Sequence, residues 1–164
     1  MAHVKSRQLV LAAMSMSLLV GLLSGCSKSS SDYVAEGKVF LEKGDLNAAV
    51  ISLKNAVQTD PADAQGRFAL AEALERNGDL QGAEQQLRRV LEQGGNADDL
   101  IPRIGVLLLD RSENALLIRD FGKRELKSPA ADADLRAQLA LAHVGLGQVN
   151  DARTQLSRAK EKTA

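Results

Sequence analysis

Aromatic residues make up only 2% of this 164-residue chain, with no tryptophan, one tyrosine and three phenylalanines, although 45% of it is hydrophobic. A β-sandwich or barrel leans on aromatic and β-branched side chains, so a core of Leu, Ala and Val favours helix packed on helix. Cysteine occurs once, at Cys26, which excludes an intrachain disulfide. An excess of charge of one sign is also missing, since 21 Lys and Arg face 21 Asp and Glu. No basic face therefore points to nucleic acid as a partner.

One long apolar run is present, at the start. No charged side chain occurs from Gln8 to Gly25, Lys5 and Arg7 precede the run, and small residues close it. A positive n-region, an apolar centre and a small-residue end are the order of a cleaved secretory signal, here residues 1–25. As a membrane-spanning helix the run is poor. A hydrocarbon core of ~30 Å needs about 20 apolar residues, and Ser15, Ser17, Gly21, Ser24 and Gly25 interrupt this one.

The segment Leu23-Ser24-Gly25-Cys26 resembles the lipobox of bacterial lipoproteins, in which the cysteine sulfur is acylated and the chain is then cut before it. The resemblance implies that Cys26 is the lipid attachment site, carrying palmitate-type chains. Loss of Lys5 and Arg7 with the leader leaves 19 basic against 21 acidic side chains. Each buried methylene contributes about 0.8 kcal/mol, so two or three acyl chains hold durably where one does not. Ser27 rather than Asp follows the cysteine, which in that class implies the outer membrane, facing the periplasm. Residues 26–31 then read as the lipidated cysteine and a short Ser-rich tether.

The remainder, 32–164, repeats itself. A shift of 34 brings Gly44, Asp45, Leu46, Ala49 and Leu53 onto Gly78, Asp79, Leu80, Ala83 and Leu87. Pro61, Gly95 and Pro129 recur at the same interval where a helix has to stop. This period and pattern resemble the tetratricopeptide repeat. In that reading Gly37 and Ala71 let paired helices approach, Phe40 and Leu74 fill the gap beside them, and Leu53 and Leu87 pack between neighbours. A third unit keeps Gly105 and Phe121 at the matching places but has Ser112 for the turn glycine. A fourth returns, one residue later, with Ala140, Gly147, Ala152, Leu156 and Ala159. The expectation is an all-α, right-handed solenoid of antiparallel helix pairs with about four repeats, near 30–63, 64–97, 98–131 and 133–164. Pro102 is expected in the first turn of its helix, where proline is tolerated. The last helix offers Arg153, Arg158, Lys160, Glu161 and Lys162 to solvent, so it either caps the array itself or belongs to a longer one.

Stacked helix pairs curve, with the first helix of each lining the concave side. The resemblance places Lys38, Glu42, Gln65, Phe68, Glu72, Glu75, Arg76 and Leu109 in a partner-binding groove, with Val34, Leu41, Val106, Asp110, Ala137, Leu141 and Val144 beside them. The alternative reading of the same residues is a solvated charged face with Leu109 and Leu141 in the core. The family's best known variant grips a C-terminal carboxylate with Lys, Asn and Arg; Val34, Lys38 and Glu72 stand at those places here and depart from it.

No catalytic set emerges. With the leader gone His143 is the one histidine, at a position matching interior Phe40 and Leu74, and neither a metal set nor a Cys and His pair can be assembled from it. Gly145 and Gly147 sit in a glycine-spaced turn, but Asn150 replaces the third glycine of a dinucleotide loop and no strand precedes them. Acidic and basic residues at helical spacing read as surface ion pairs. The expectation is a non-enzymatic chain without cofactor, metal or small-molecule substrate.

Lipobox, Gly-Asp-Leu turn, the Leu53-Lys54-Asn55-Ala56 stretch closing at Asp60-Pro61, and the run Asp98 to Asp110 together resemble the amino-terminal part of the PEP-CTERM system tetratricopeptide lipoproteins. That family accompanies exopolysaccharide export and surface-protein sorting. The resemblance implies a membrane-anchored scaffold for a protein partner in an envelope export or assembly machine. Two alternatives stand beside it: a pilotin-like or outer-membrane assembly lipoprotein, and a non-catalytic accessory subunit of a polysaccharide-modifying enzyme.

Overall fold

The computed structural model describes residues 28–163; the signal segment 1–25 and Cys26 lie outside them. Among the described residues there are eight helices and no strand: α1 (Ser30–Lys43), α2 (Leu46–Thr59), α3 (Ala64–Arg76), α4 (Leu80–Glu92), α5 (Ala97–Asp110), α6 (Asn114–Phe121), α7 (Pro129–Gly145) and α8 (Val149–Thr163). Short connections fold them into four hairpins, α1–α2, α3–α4, α5–α6 and α7–α8.

The Gly-Asp-Leu turn explains the hairpins residue by residue. Gly44, Gly78 and Gly147 take φ of 76°, 83° and 74°, a left-handed conformation that stops a helix and that glycine adopts without a Cβ penalty. Asp45 and Asp79 then accept the Ala48 and Gly82 backbone N–H groups at 3.1 and 2.8 Å, capping the next helix. In the third hairpin Ser112 holds φ at 59°, and the following helix lacks a side-chain cap. That helix, α6, is correspondingly short at 8 residues.

Packing follows the repeat. A Cβ built on Gly37 would lie 2.5 Å from Leu53 Cγ, so the glycine is what lets α1 close on α2. Ala49, Leu53, Ala56, Ala71, Ala83 and Leu87 are fully buried and belong to one core that runs from Val34 to Ala142. His143 lies inside as well, with Nδ1 2.7 Å from Gln148 Oε1.

Three features differ from the sequence expectation. Ser29 to Ser31, placed in the tether, instead start the fold: Ser29 caps α1 in a reciprocal box with Asp32, and Ser30 Oγ donates to Asp63 Oδ2 at 2.9 Å. Pro102 is the sixth residue of α5 rather than part of its first turn. The ring there removes a donor to the carbonyl of Asp98, and Pro102's own carbonyl accepts from Gln138 Nε2 at 2.9 Å. Finally, a loop over residues 122–128 replaces the rest of α6, and it is pinned to α7. Asp132, fully buried, accepts the Leu126 N–H at 3.0 Å and pairs with Arg136 at 3.3 Å. Arg136 also donates to the Arg124 and Gly122 carbonyls and to Gln155.

Candidate protein-binding groove

The first helices of adjacent hairpins approach one another, α1 against α3 and α5 against α7, whereas between second helices it is a long side chain that reaches across, Arg88 of α4 lying 2.8 Å from Asp120 of α6. The first helices therefore occupy the inner, concave side of the stack. Lys38, Glu42, Gln65, Phe68, Glu72 and Arg76 are all exposed there, and Glu75 and Leu109 are half-buried. Val34 and Leu41, set beside them in the sequence reading, are buried and belong to the core.

Successive repeats place Lys38, Glu72, Val106 and Leu141 in one row along this face, and Leu41, Glu75, Leu109 and Val144 in the next. The rows change character half-way. Repeats one and two present Lys38, Glu42, Glu72, Glu75 and Arg76, whereas repeats three and four present Val106, Leu141 and Val144, which are 43%, 61% and 59% exposed. The alternative that put Leu141 in the core is thus excluded; Leu109, partly buried against the core, fits it in part.

The charged half is internally wired. Arg76 Nη2 donates to the Leu41 carbonyl at 3.0 Å, and its Nη1 lies 3.9 Å from Glu72. Arg103 on α5 reaches back to α3, 2.7 Å from Glu75 Oε2, with its guanidinium 4.8 Å from the centre of the Phe68 ring. Sequence reasoning missed Arg103, although a signal existed: it stands where Ala35 and Ala69 stand in the earlier repeats. One consequence is that Phe68 offers only part of its ring to the groove, the guanidinium lying over it. Lys38 and Glu42 have no ion-pair or hydrogen-bond partner among the described residues.

At the first repeat Glu36 is held below its ordinary range by the Ser52 hydroxyl, which donates at 2.7 Å, and then by Lys28 at 2.9 Å. Asp63 feels burial, which raises it, but the Gly66 N–H, the Ser30 hydroxyl and the Gln65 N–H outweigh this and hold it low. Both shifts come from contacts that fix helix ends and helix pairs; neither prepares a group for proton transfer. Among the described residues no group of histidine, cysteine or carboxylate side chains is arranged to hold a metal.

A tetratricopeptide repeat family model matches residues 34–98. Among solved structures, the crystal structure of MamA protein superposes with a TM-score of 0.68 at 23% identity, covering 81% of this chain and 72% of that one. The chain folds as a tetratricopeptide solenoid. YrrB, described as a tetratricopeptide protein with an unusual peptide-binding site, superposes with a TM-score of 0.60 at 17% identity, over 82% of this chain and 69% of that one. The TPR2B domain of yeast Sti1, in its complex with pHsp70, gives 0.50 at 18% identity, over 81% and 97%. Comparison with curated protein sequences finds no match. In tetratricopeptide terms the third repeat is the divergent one, and the family match ends where it begins.

Proposed function

We propose that this tetratricopeptide array is a non-enzymatic, lipid-anchored scaffold whose concave groove holds a segment of a protein partner in the cell envelope. The carrying observation is the open apolar patch of Val106, Leu141 and Val144 next to a charged half-groove. Such a surface suits a segment with apolar side chains toward its end over repeats three and four and charges toward repeats one and two. Fully burying a Val or Leu contributes about 1.5–3 kcal/mol. With Leu141 61% exposed, burying the rest of it is worth about tenfold in affinity. Peptide binding by YrrB and the complex of the Sti1 domain support the class of partner.

The anchor rests on Leu23-Ser24-Gly25-Cys26 and the charged start before it. Ser27 favours the outer membrane, facing the periplasm. The resemblance to the PEP-CTERM system lipoproteins favours an export or assembly machine of the exopolysaccharide kind as the place of work.

Metabolic acyl labelling of the chain and of Cys26→Ser, followed by membrane fractionation, tests the anchor. Label that disappears with the sulfur, together with release from the membrane fraction, is the expected result. A chain that stays unlabelled and soluble would leave only the groove.

A further inference from the structure

Helix α5 has a repeat on either side of it, so what it leaves open belongs to the middle of the array. Its exposed side chains are Asp99, Val106 and Asp110. The two carboxylates bracket the valine at a separation of 11 residues, about 16 Å along a helix. On α7 the same order recurs: Asp134, Ala137, Leu141 and Val144 are exposed at helical spacing, acid first. Asp99 and Asp134 stand where repeat two has Gln65, and Asp110 where it has Arg76, so all three acids lie on the inner face. We propose that the segment held over repeats three and four is cationic and amphipathic: its apolar side chains seat on Val106, Leu141 and Val144, and its Lys or Arg residues reach Asp110 at one end and Asp99 and Asp134 at the other. This rests on the groove reading and specifies the occupant.

The carboxylates of Asp110 and Asp134 have no ion-pair or hydrogen-bond partner among the described residues, and Asp99 has only the Asn96 amide, at 2.7 Å. The neighbouring charges are engaged. Asp98 accepts the Lys127 and Ser128 N–H groups at 2.9 Å. Arg103, the one cation on the inner side of α5, is held by Glu75, and Arg76 on α3 lies against Glu72 and the Leu41 carbonyl. Arg111, in the turn after α5, is shared by Glu84 and Glu113. Arg136 is buried with Asp132, away from the groove. Lys123, Arg124 and Lys127 line a cavity with residues 94–98 at the loop edge, beside the starts of α5 and α7. They soften the acids at that end and leave Asp110 as the stronger contact.

The apolar half of the groove therefore carries acid in excess, and that excess selects its occupant. An acidic segment would set carboxylate against carboxylate, and a neutral one would cover three carboxylates without replacing the water they lose. Repeats one and two offer no such excess, because exposed Lys38 and Lys43 stand beside exposed Glu42.

Two fluorescein-labelled peptides of about 14 residues, long enough as helices to span the ~16 Å between the acids, test this. One has Leu along one face and two Lys at each end; the other has Glu in place of each Lys. Fluorescence anisotropy reads their binding to the full chain in nonionic detergent, with detergent alone measured in parallel. The Lys peptide is expected to bind about tenfold more tightly than the Glu peptide, since exposed pairs are individually weak and three of them add. The gap should narrow as salt rises. Asp110→Lys combined with Asp134→Lys should weaken the Lys peptide and tighten the Glu peptide, a gain that an unfolded variant could not show. Asp110→Asn, which removes one charge and keeps the shape, should fall between. Equal binding of the two peptides, or tighter binding of the Glu peptide, overturns the cationic assignment; if Leu141→Asn then weakens both, the groove reading survives it. A preference for the Lys peptide that persists in the double Lys variant overturns the assignment too, because the peptide is then bound elsewhere. If neither peptide binds, the groove reading falls together with it.

Discussion

Replacing Arg136 by methionine keeps the apolar stem of the side chain but removes the guanidinium that pairs with fully buried Asp132. Asp132 is fully buried and Arg136 is 2% exposed, so the pair is not a surface ion pair of negligible worth. Breaking a buried pair by removing one partner costs about 3–5 kcal/mol. Here the variant also frees the Arg124 and Gly122 carbonyls, which accept from the guanidinium, and these can turn to water because their loop is at the surface. The expected loss is therefore about 3 kcal/mol, the low end of the range. At about 4 °C per kcal/mol for an array of this size, the melting midpoint falls by roughly 12 °C. Thermal unfolding followed by circular dichroism measures this. Hydrogen exchange adds a local signature, since the Leu126 N–H donates to Asp132 and its protection should fall before that of α3. Removing both charges, in Asp132→Leu with Arg136→Met, should cost less than Arg136→Met alone. A single variant within about 1 kcal/mol of wild type would refute the reasoning, because a buried carboxylate that has lost its guanidinium partner cannot be that cheap.

Other outcomes follow from the same structure. Gly37→Ala places a methyl against Leu53, which is fully buried and has nowhere to go; a loss of about 1–3 kcal/mol in urea unfolding is expected, and a neutral result would mean α1 and α2 are not held at this spacing. Ser112→Gly relieves a left-handed serine and should stabilise by roughly 1 kcal/mol or less, read as a rise in the urea midpoint. Glu36, Asp32 and Asp63 are held below their ordinary values, Asp32 by the Ser29 hydroxyl and then its N–H. Lowered folded values mean that the stability they supply is present above the unfolded values and drains away as pH falls through the folded ones. Between about pH 5 and pH 3 the first repeat should thus lose exchange protection ahead of the fourth, and equal loss would contradict the assignment. Leu141→Asp, at an exposed position, should leave the melting curve unchanged and weaken partner binding by about tenfold or more.

Much of this architecture was legible because it is written locally. The Gly44-Asp45-Leu46 turn carries its own stop, cap and first helical residue, so three neighbouring residues predict a hairpin, and the 34-residue shift repeats the message. Leu53 and Leu87 were identified as core by the same periodicity, and both are fully buried. What escaped lies in contacts between residues far apart in sequence. Arg103 meets Glu75 across 28 positions, and Ser30 meets Asp63 across 33. Nothing near either residue announces its partner. The buried Asp132 and Arg136 have ordinary helical spacing; only the loop that shortens α6 takes them out of solvent, and that loop has no periodic signature. Leu141 was ambiguous for the opposite reason: a leucine at helical spacing reads as core, and only the missing cover on the inner face of α7 leaves it 61% exposed.

The groove reading stands or falls on where a partner touches. A photo-crosslinking residue placed at Leu141, on the inner face, and separately at Ile51, 63% exposed on a second helix, puts the two sides of the solenoid in direct competition within living cells. The account predicts one discrete adduct from position 141, with the same partner peptide identified each time, and its loss when Val144→Asp is added. Adducts from position 51 at equal or greater yield, or an adduct from 141 that survives Val144→Asp, would contradict it.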